Sequence, residues 1–291
     1  MVTNPDYRQD PWRESIAQML MLVDQVVVVC GRSEDVAQVK DHFVLVDEMV
    51  EAFYLHWPQP DWSYDELPYH LNAGLAVARK YDPDWIVKFD IDNLIHEDDH
   101  ATLKAQLTQA AAQNKALASV EKYQFHHALR CYEKGKMPIF INAKHSKQVV
   151  YGRASETYTD LCQPIIVEGN IGTTRVPMGP LVPESLIFKT SAHVWNYDYT
   201  FKTEDRSREL LYFFDRSHAK FWGEGYGHKS LDDITPESAF DDFIKAVTGH
   251  MSKSTKLFMP QKHPKKIQRK LESISNDPQY FGYGLWGKVK L

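Results

Sequence analysis

Apolar positions along this chain change their spacing several times, and each change marks an element. Ile16, Met19, Leu20 and Val23 recur at three- and four-residue intervals, which predicts a helix over residues 13–22 with Pro11 where a first helical turn tolerates it. Asp24 then precedes Gln25-Val26-Val27-Val28-Val29-Cys30, short, β-branched and apolar on both faces, the pattern of a buried parallel strand. Gly31 closes that strand, and Ser33, Glu34 and Asp35 lead into a second short helix. Residues 43–50 read as a strand with a turn, and residues 57–68, rich in Pro, Trp and Asp, as a loop. Leu71, Leu75, Ala76 and Ala78 place a helix over 70–81; Asp82-Pro83-Asp84 breaks it, and residues 85–89 form the next strand.

This alternation predicts an α/β fold with a mainly parallel sheet flanked by helices. Residues 101–118, dense in Ala, Leu and Gln, read as a further helix. From about 120 to 190 the pattern shifts to short β-like runs at 139–141, 148–151 and 165–167, an antiparallel or mixed addition to the sheet. Helices follow over 203–220 and 236–251, and the last thirty or so residues are basic, then aromatic. No internal repeat is present.

Composition narrows the function classes. Of the 291 residues 43% are hydrophobic and 25% charged, enough for an ordinary core and no reason to expect disorder. A net charge of −5 argues against a nucleic-acid binder, which needs clustered excess Lys and Arg. The basic cluster Lys262, Lys265, Lys266, Arg269 and Lys270 reads as a solvated helix face. Cys30, Cys131 and Cys162 are odd in number and widely spaced, unlike a disulfide framework or a zinc site, and suit a reducing, cytoplasmic compartment. No apolar run reaches the length of a membrane span, and the polar residues 1–10 do not resemble a signal peptide.

The chemistry concentrates at strand ends, where ligands of open α/β sheets sit. Asp90 and Asp92 follow the strand 85–89, and on an extended backbone they would project from one face. Two carboxylates so close repel unless a cation joins them; a hard divalent ion, Mn²⁺ or Mg²⁺, satisfies both and keeps positions open for substrate phosphates. Glu97, Asp98 and Asp99 read instead as the acidic first turn of the next helix.

These pieces, in this order, resemble the nucleotide-binding half of the GT-A glycosyltransferases, family 2 especially. The matching parts are the strand Val26 to Val29, the turn Gly31-Arg32-Ser33-Glu34-Asp35, the helix with Asn72-Ala73-Gly74, and the strand from Trp85 that ends in Asp90-Ile91-Asp92. The likeness covers about a third of the chain. It implies a GT-A-like mixed, mainly parallel sheet flanked by helices with a C-terminal acceptor-side extension, residues 1–120 forming the nucleotide-sugar half and 121–291 the acceptor and metal-completing half of one domain, with C-terminal helices. It implies transfer of a sugar from a nucleotide diphosphate, UDP-sugar first among donors, to a sugar, glycan or lipid-linked acceptor hydroxyl, with inversion.

The resemblance also assigns roles. Asp90 would face the ribose or the metal, Asp92 would ligate the metal, and Gly31, Ser33 and Asp35 would lie near the nucleobase and ribose. Asn72 and Arg79 would contact base or phosphate. His193 is the nearest third metal ligand, though Asn196 is closer to the position where relatives carry a His. Asp198, then Glu184, then Glu168 are candidates for the base that deprotonates the acceptor. Trp195, Tyr197, Tyr199 and Trp222 could face sugar rings, and Lys262 or His263 could neutralise the diphosphate. One departure stands out: the family opens with an apolar strand before the first helix, and residues 1–10 contain none, so the chain starts late or that edge is rebuilt from elsewhere. The competing readings are a nucleotidyltransferase, whose Gly-rich basic loop is absent here, and a non-catalytic nucleotide-sugar-binding protein that keeps the fold. A Gly-x-Ser-x-Gly elbow and a phosphate-binding Gly-Lys-Ser/Thr loop are both missing, which disfavours a serine hydrolase and an NTPase.

Overall fold

A computed structural model describes residues 3–57, 66–127, 130–144, 148–155, 162–167, 176–222, 230–251, 256–275 and 277–280. Helix α1 (Trp12–Met19) buries Trp12, Ile16 and Met19 on one side, as their spacing dictates. Strand β1 (Val26–Cys30) is followed by α2 (Ser33–His42) and by β2 (Val50–Tyr54), which pairs with β1 in parallel, Val26 opposite Val50. The strand expected at 43–50 is displaced: Val44–Met49 is a 3-10 segment with Val44 and Leu45 exposed, and the strand begins only at Val50, level with the start of β1.

Helix α3 (Glu66–Ala78) packs on β1, and Gly74 allows the close approach, since a Cβ there would lie 2.9 Å from Val29 Cγ2. Next come β3 (Trp85–Val87), β4 (Asn93–Ile95) and α4 (His100–Ala112). The helix expected to reach residue 118 stops at Ala112, because Asn114 takes a left-handed φ of 54° and turns the chain into β5 (Leu117–His127). Strands β6 (Arg130–Asn142), β7 (Val149–Ala154), β8 (Gln163–Ile166), β9 (Met178–Gly179) and β10 (Ile187–Asn196) follow. The chain continues as α5 (Glu204–Trp222), α6 (Pro236–Met251), β11 (Lys256–Leu257) and α7 (Lys265–Ser273).

The principal sheet runs β11-β6-β5-β10-β4, with β3 beside the far end of β6. It draws strands from both sides of residue 120. The sheet is mixed, as expected, but the expectation that it is mainly parallel is corrected here. Only β5 and β10 pair in parallel in this sheet, while β5–β6, β3–β6, β4–β10 and β6–β11 are antiparallel. The cause is the length of β6, whose 13 residues fold back along β5 and reach β3. The architecture is therefore mixed α/β, with β1–β2 and β8-β7-β9 as separate small sheets. No helix among the described residues is long and apolar enough to cross a membrane.

Asn72 joins α3 to β7. Its Nδ2 donates to Tyr151 O (2.7 Å) and its Oδ1 accepts from Tyr151 N (2.8 Å), so the whole amide is used on a buried peptide. Asn72→Ala leaves both backbone groups unpaired and should destabilise the fold by about 2 kcal/mol. Urea unfolding checks this, and an unchanged midpoint would show the link to be dispensable.

Candidate active site

Beyond β3 the backbone of Lys88 still donates to Ile139 O (2.9 Å), and then the chain turns: Asn93 N donates to Asp90 O (3.0 Å) and β4 starts. The acidic triplet is thus a turn between two strands. That corrects the expected extended geometry, and the two carboxylates part company. Asp90 turns back onto Lys88, Nζ to Oδ2 2.6 Å, with 43% of its side chain exposed. Asp92 turns inward, and its Oδ1 is buried with no hydrogen-bond partner.

The main chain of Asp92 is fastened to the segment after β10, since Tyr197 N donates to Asp92 O (2.9 Å). This brings Asp198 into the electrostatic neighbourhood of Asp92. Burial, then the carboxylates of Asp198 and Asp90, push Asp92 from 3.8 up to about 7, against the attraction of Lys122. For Asp90, burial would also raise the value, but the Lys88 ammonium overrides it and holds this carboxyl below its ordinary range. Lys122, on β5, is lowered by burial and drawn the other way by Asp92, Asp198 and Asp90. Lys134 stands opposite it on β6.

Beneath these charges three buried amides join three strands. Gln124 Nε2 of β5 donates to Asn196 Oδ1 of β10, and Asn196 Nδ2 donates to Asn93 Oδ1 of β4 (2.6 Å). Ser15 Oγ of α1 donates to Asn93 O (2.8 Å), which seats the helix against the same corner.

The other sequence candidates go elsewhere. His193 faces Glu121 across β5–β10, Nε2 to Oε2 3.3 Å, with its ring stacked on Tyr123 at 4.2 Å. Neighbours along a strand point to opposite faces, so Glu121 and His193 lie on the far side of the sheet from Lys122 and the acidic turn. There Glu121, Glu133 and His193 bring one ligand atom each within 4.8 Å of the others, although Glu133 also pairs with Lys256. No other trio of acidic, His or Cys side chains among the described residues meets that spacing, and Asp90, drawn to Lys88, does not complete one with Asp92 and Asp198. Asn196, the alternative third ligand, belongs to the amide row.

Glu184 is exposed, pairs with Lys189 at 2.9 Å and precedes β10, whereas Asp198 follows it; that strand spans roughly 30 Å at about 3.3 Å per residue. Glu168 and the Trp222 side chain lie outside the described residues. Gly31 is covered by Thr3 and Trp57, and a Cβ there would meet Thr3 Oγ1 at 2.6 Å. Asp35 is fully buried, accepts Asn4 N (3.0 Å) and pairs with Arg32 (2.5 Å), while Ser33 opens α2 with its hydroxyl on Glu34. Arg79 Nη2 donates to Val149 O (2.7 Å). Trp195 and Tyr197 are core residues packed with Phe125 under α7, and Tyr199 packs on Phe243. His263 is buried among them, 2.7 Å from Tyr197 Oη, and burial lowers it to about 4, so it is neutral at pH 7; Lys262 is exposed.

Lys88, Lys122, Gln124 and Asn93 carry the site and were not singled out by motif. Lys88 had a visible signal, a lone cation inside an apolar strand two residues before Asp90. No known family model matches the chain, and no curated protein matches it significantly.

Asp92 generates a pH test. Its native value of about 7 exceeds the ordinary 3.8, so the native state binds this proton more tightly, and the resulting stability is full below pH 4 and lost as pH rises through 7. Without added metal, the melting temperature of the wild type should fall relative to Asp92→Asn between pH 4 and 8, by several degrees at the ~2–4 °C per kcal/mol of a chain this size. Parallel profiles would refute the strained carboxylate.

Proposed function

We propose that this chain is a metal-dependent glycosyltransferase of GT-A type that moves a sugar from a nucleotide diphosphate, UDP-sugar first, to an acceptor hydroxyl with inversion. The observation that carries the reading is the buried, unpartnered Asp92 Oδ1 beside a second carboxylate, Asp198. The cations around that pair are shared: Lys88 is committed to Asp90, Lys202 divides between Asp10 at 2.5 Å and Asp198 at 3.8 Å, and Lys122 offsets Asp92 only in part. A divalent cation fits this donor chemistry, held by Asp92 with Asp198 nearby. When bound, it neutralises the charge that develops on a departing diphosphate.

The protein's own groups divide the remaining work. Lys122, half-buried in β5, sets a fixed ammonium beside the acidic turn and favours phosphate oxygens there. Lys88 keeps Asp90 ionised and turned aside. Asp198, 39% exposed where Asp92 Oδ1 is sealed, is open to an acceptor and takes its hydroxyl proton.

Glu121, Glu133 and His193 support a second position for the cation, and two variants separate the readings. Asp92→Asn should lower Mn²⁺-dependent release of UDP from nucleotide sugars by about 100-fold or more. His193→Ala should leave it within about threefold, as expected of a residue outside the site. The reverse ranking would move the metal to the trio. A screen of nucleotide sugars with Mn²⁺, with neither turnover nor a metal-dependent thermal shift, would overturn the proposal.

A further inference from the structure

Glu121, Glu133 and His193 come from three adjacent strands, β5, β6 and β10, and meet on the face of the principal sheet that turns away from Lys122 and the acidic turn. Both ladders are irregular at this spot. Four residues of β10, from Lys189 to His193, advance beside two of β5, from Ser119 to Glu121. On the other side Val120 pairs with Met137 and Lys122 with Lys134, so Glu121 itself has no partner in the β5–β6 register. Extra residues of this kind re-aim side chains, and regular β5–β10 pairing resumes at Glu121 and His193. One ligand atom from each of the three side chains then lies within 4.8 Å of the other two.

The imidazole is held in place before any ion arrives. Its ring stacks on Tyr123 at 4.2 Å, 10° from parallel, and its Nε2 lies 3.3 Å from Glu121 Oε2. Two ligand atoms at about 2.0–2.1 Å from one ion, on tetrahedral corners, lie about 3.3 Å apart, so this pair already has the spacing of two zinc ligands. The Glu133 side chain is 41% exposed and has room to turn into the third corner. Lys256 pairs with Glu133, and Lys136 stands 4.0 Å from Glu121, but both lysines are exposed and such surface pairs are weak. A dication between the two carboxylates replaces them with a doubly charged partner at shorter range.

We propose that Glu121, Glu133 and His193 form a binding site for a divalent ion of the Zn²⁺, Co²⁺ or Ni²⁺ class, separate from the acidic turn. The ring nitrogen is the reason for that class: imidazole suits these ions, whereas Mg²⁺ and Ca²⁺ take oxygen ligands. Asp92 and Asp198 offer oxygen alone, so the two faces of one sheet sort ions by ligand chemistry. Three protein ligands leave the fourth tetrahedral position to water. The bound ion ties β6, β5 and β10 together three residues ahead of Asn196, and so fastens the strand that carries the middle of the amide row. The inference stands on the geometry of the trio and holds whether or not the chain transfers sugar.

The test titrates the untagged full chain, stripped of metal by a chelator, with Zn²⁺ and with Mg²⁺, and follows heat of binding and thermal unfolding. Co²⁺ is the visible probe, because its absorption reports four-coordinate binding. Saturating Zn²⁺ should raise the melting temperature by several degrees, and Mg²⁺ should not do so through this site. Glu133→Gln and His193→Ala should each weaken Zn²⁺ binding by about 100-fold, and Asp92→Asn should retain it. Glu133 is exposed, so Glu133→Gln decides the matter even if His193→Ala fails to fold. Three results would overturn the proposal: no Zn²⁺ binding by the wild type, full binding kept by Glu133→Gln, which would mean adventitious surface binding only, or loss in Asp92→Asn, which would place the ion at the acidic turn.

Discussion

The row of amides from Gln124 through Asn196 to Asn93 is the constraint on which the acidic site depends. It crosses β5, β10 and β4 at one level and is buried throughout. A slip of one residue in β10 would turn Asn196 to the opposite face and leave two buried amides without partners. Asp92 immediately precedes Asn93, and Asp198 follows Asn196 by two residues. The amide row therefore sets where both carboxylates emerge, and Ser15 extends the same restraint to α1.

On that base, two aspartates in one triplet acquire opposite electrostatics. Asp90 has a cation at 2.6 Å and remains ionised, whereas Asp92 has burial and three like charges, those of Asp198, Asp90 and Asp10, with Lys122 opposing them. The difference comes from the tight turn that aims one side chain back along β3 and the other into the sheet corner. A second cluster of cation-binding type, Glu121 with Glu133 and His193, exists on the other face only because the strands alternate.

Much of the first half was legible because single elements bury single faces. The spacing of Ile16 and Met19, the valine run of β1, and the aromatic-apolar β3 each announce themselves locally. Strand β5 did not, because Ala, Leu and Gln carry helical propensity up to Asn114, and only that residue's left-handed turn separates helix from strand. The hairpin arm β6 was hidden by Glu133, Lys134, Gly135 and Lys136, which are exposed midway along it. Asp92 and Asp198 could be named from sequence as acids near strand ends. Lys122, Gln124 and the exile of His193 could not, since each follows from the pairing of β5 with β10, a long-range fact that no local pattern encodes.

The parallel pairing of β5 with β10 also bears on how the molecule assembles. The β5–β6 arms are neighbours in sequence and can zip as a hairpin. Gln124 and Asn196 are 72 residues apart, and Asn93 and Asn196 are 103 apart. Those contacts close long loops, whose entropy must be lost before any bond rewards it, so they belong to the slow phase of folding. The acidic corner is then among the last parts to take shape, and a nascent or partly folded chain carries its hairpin well before it carries a site.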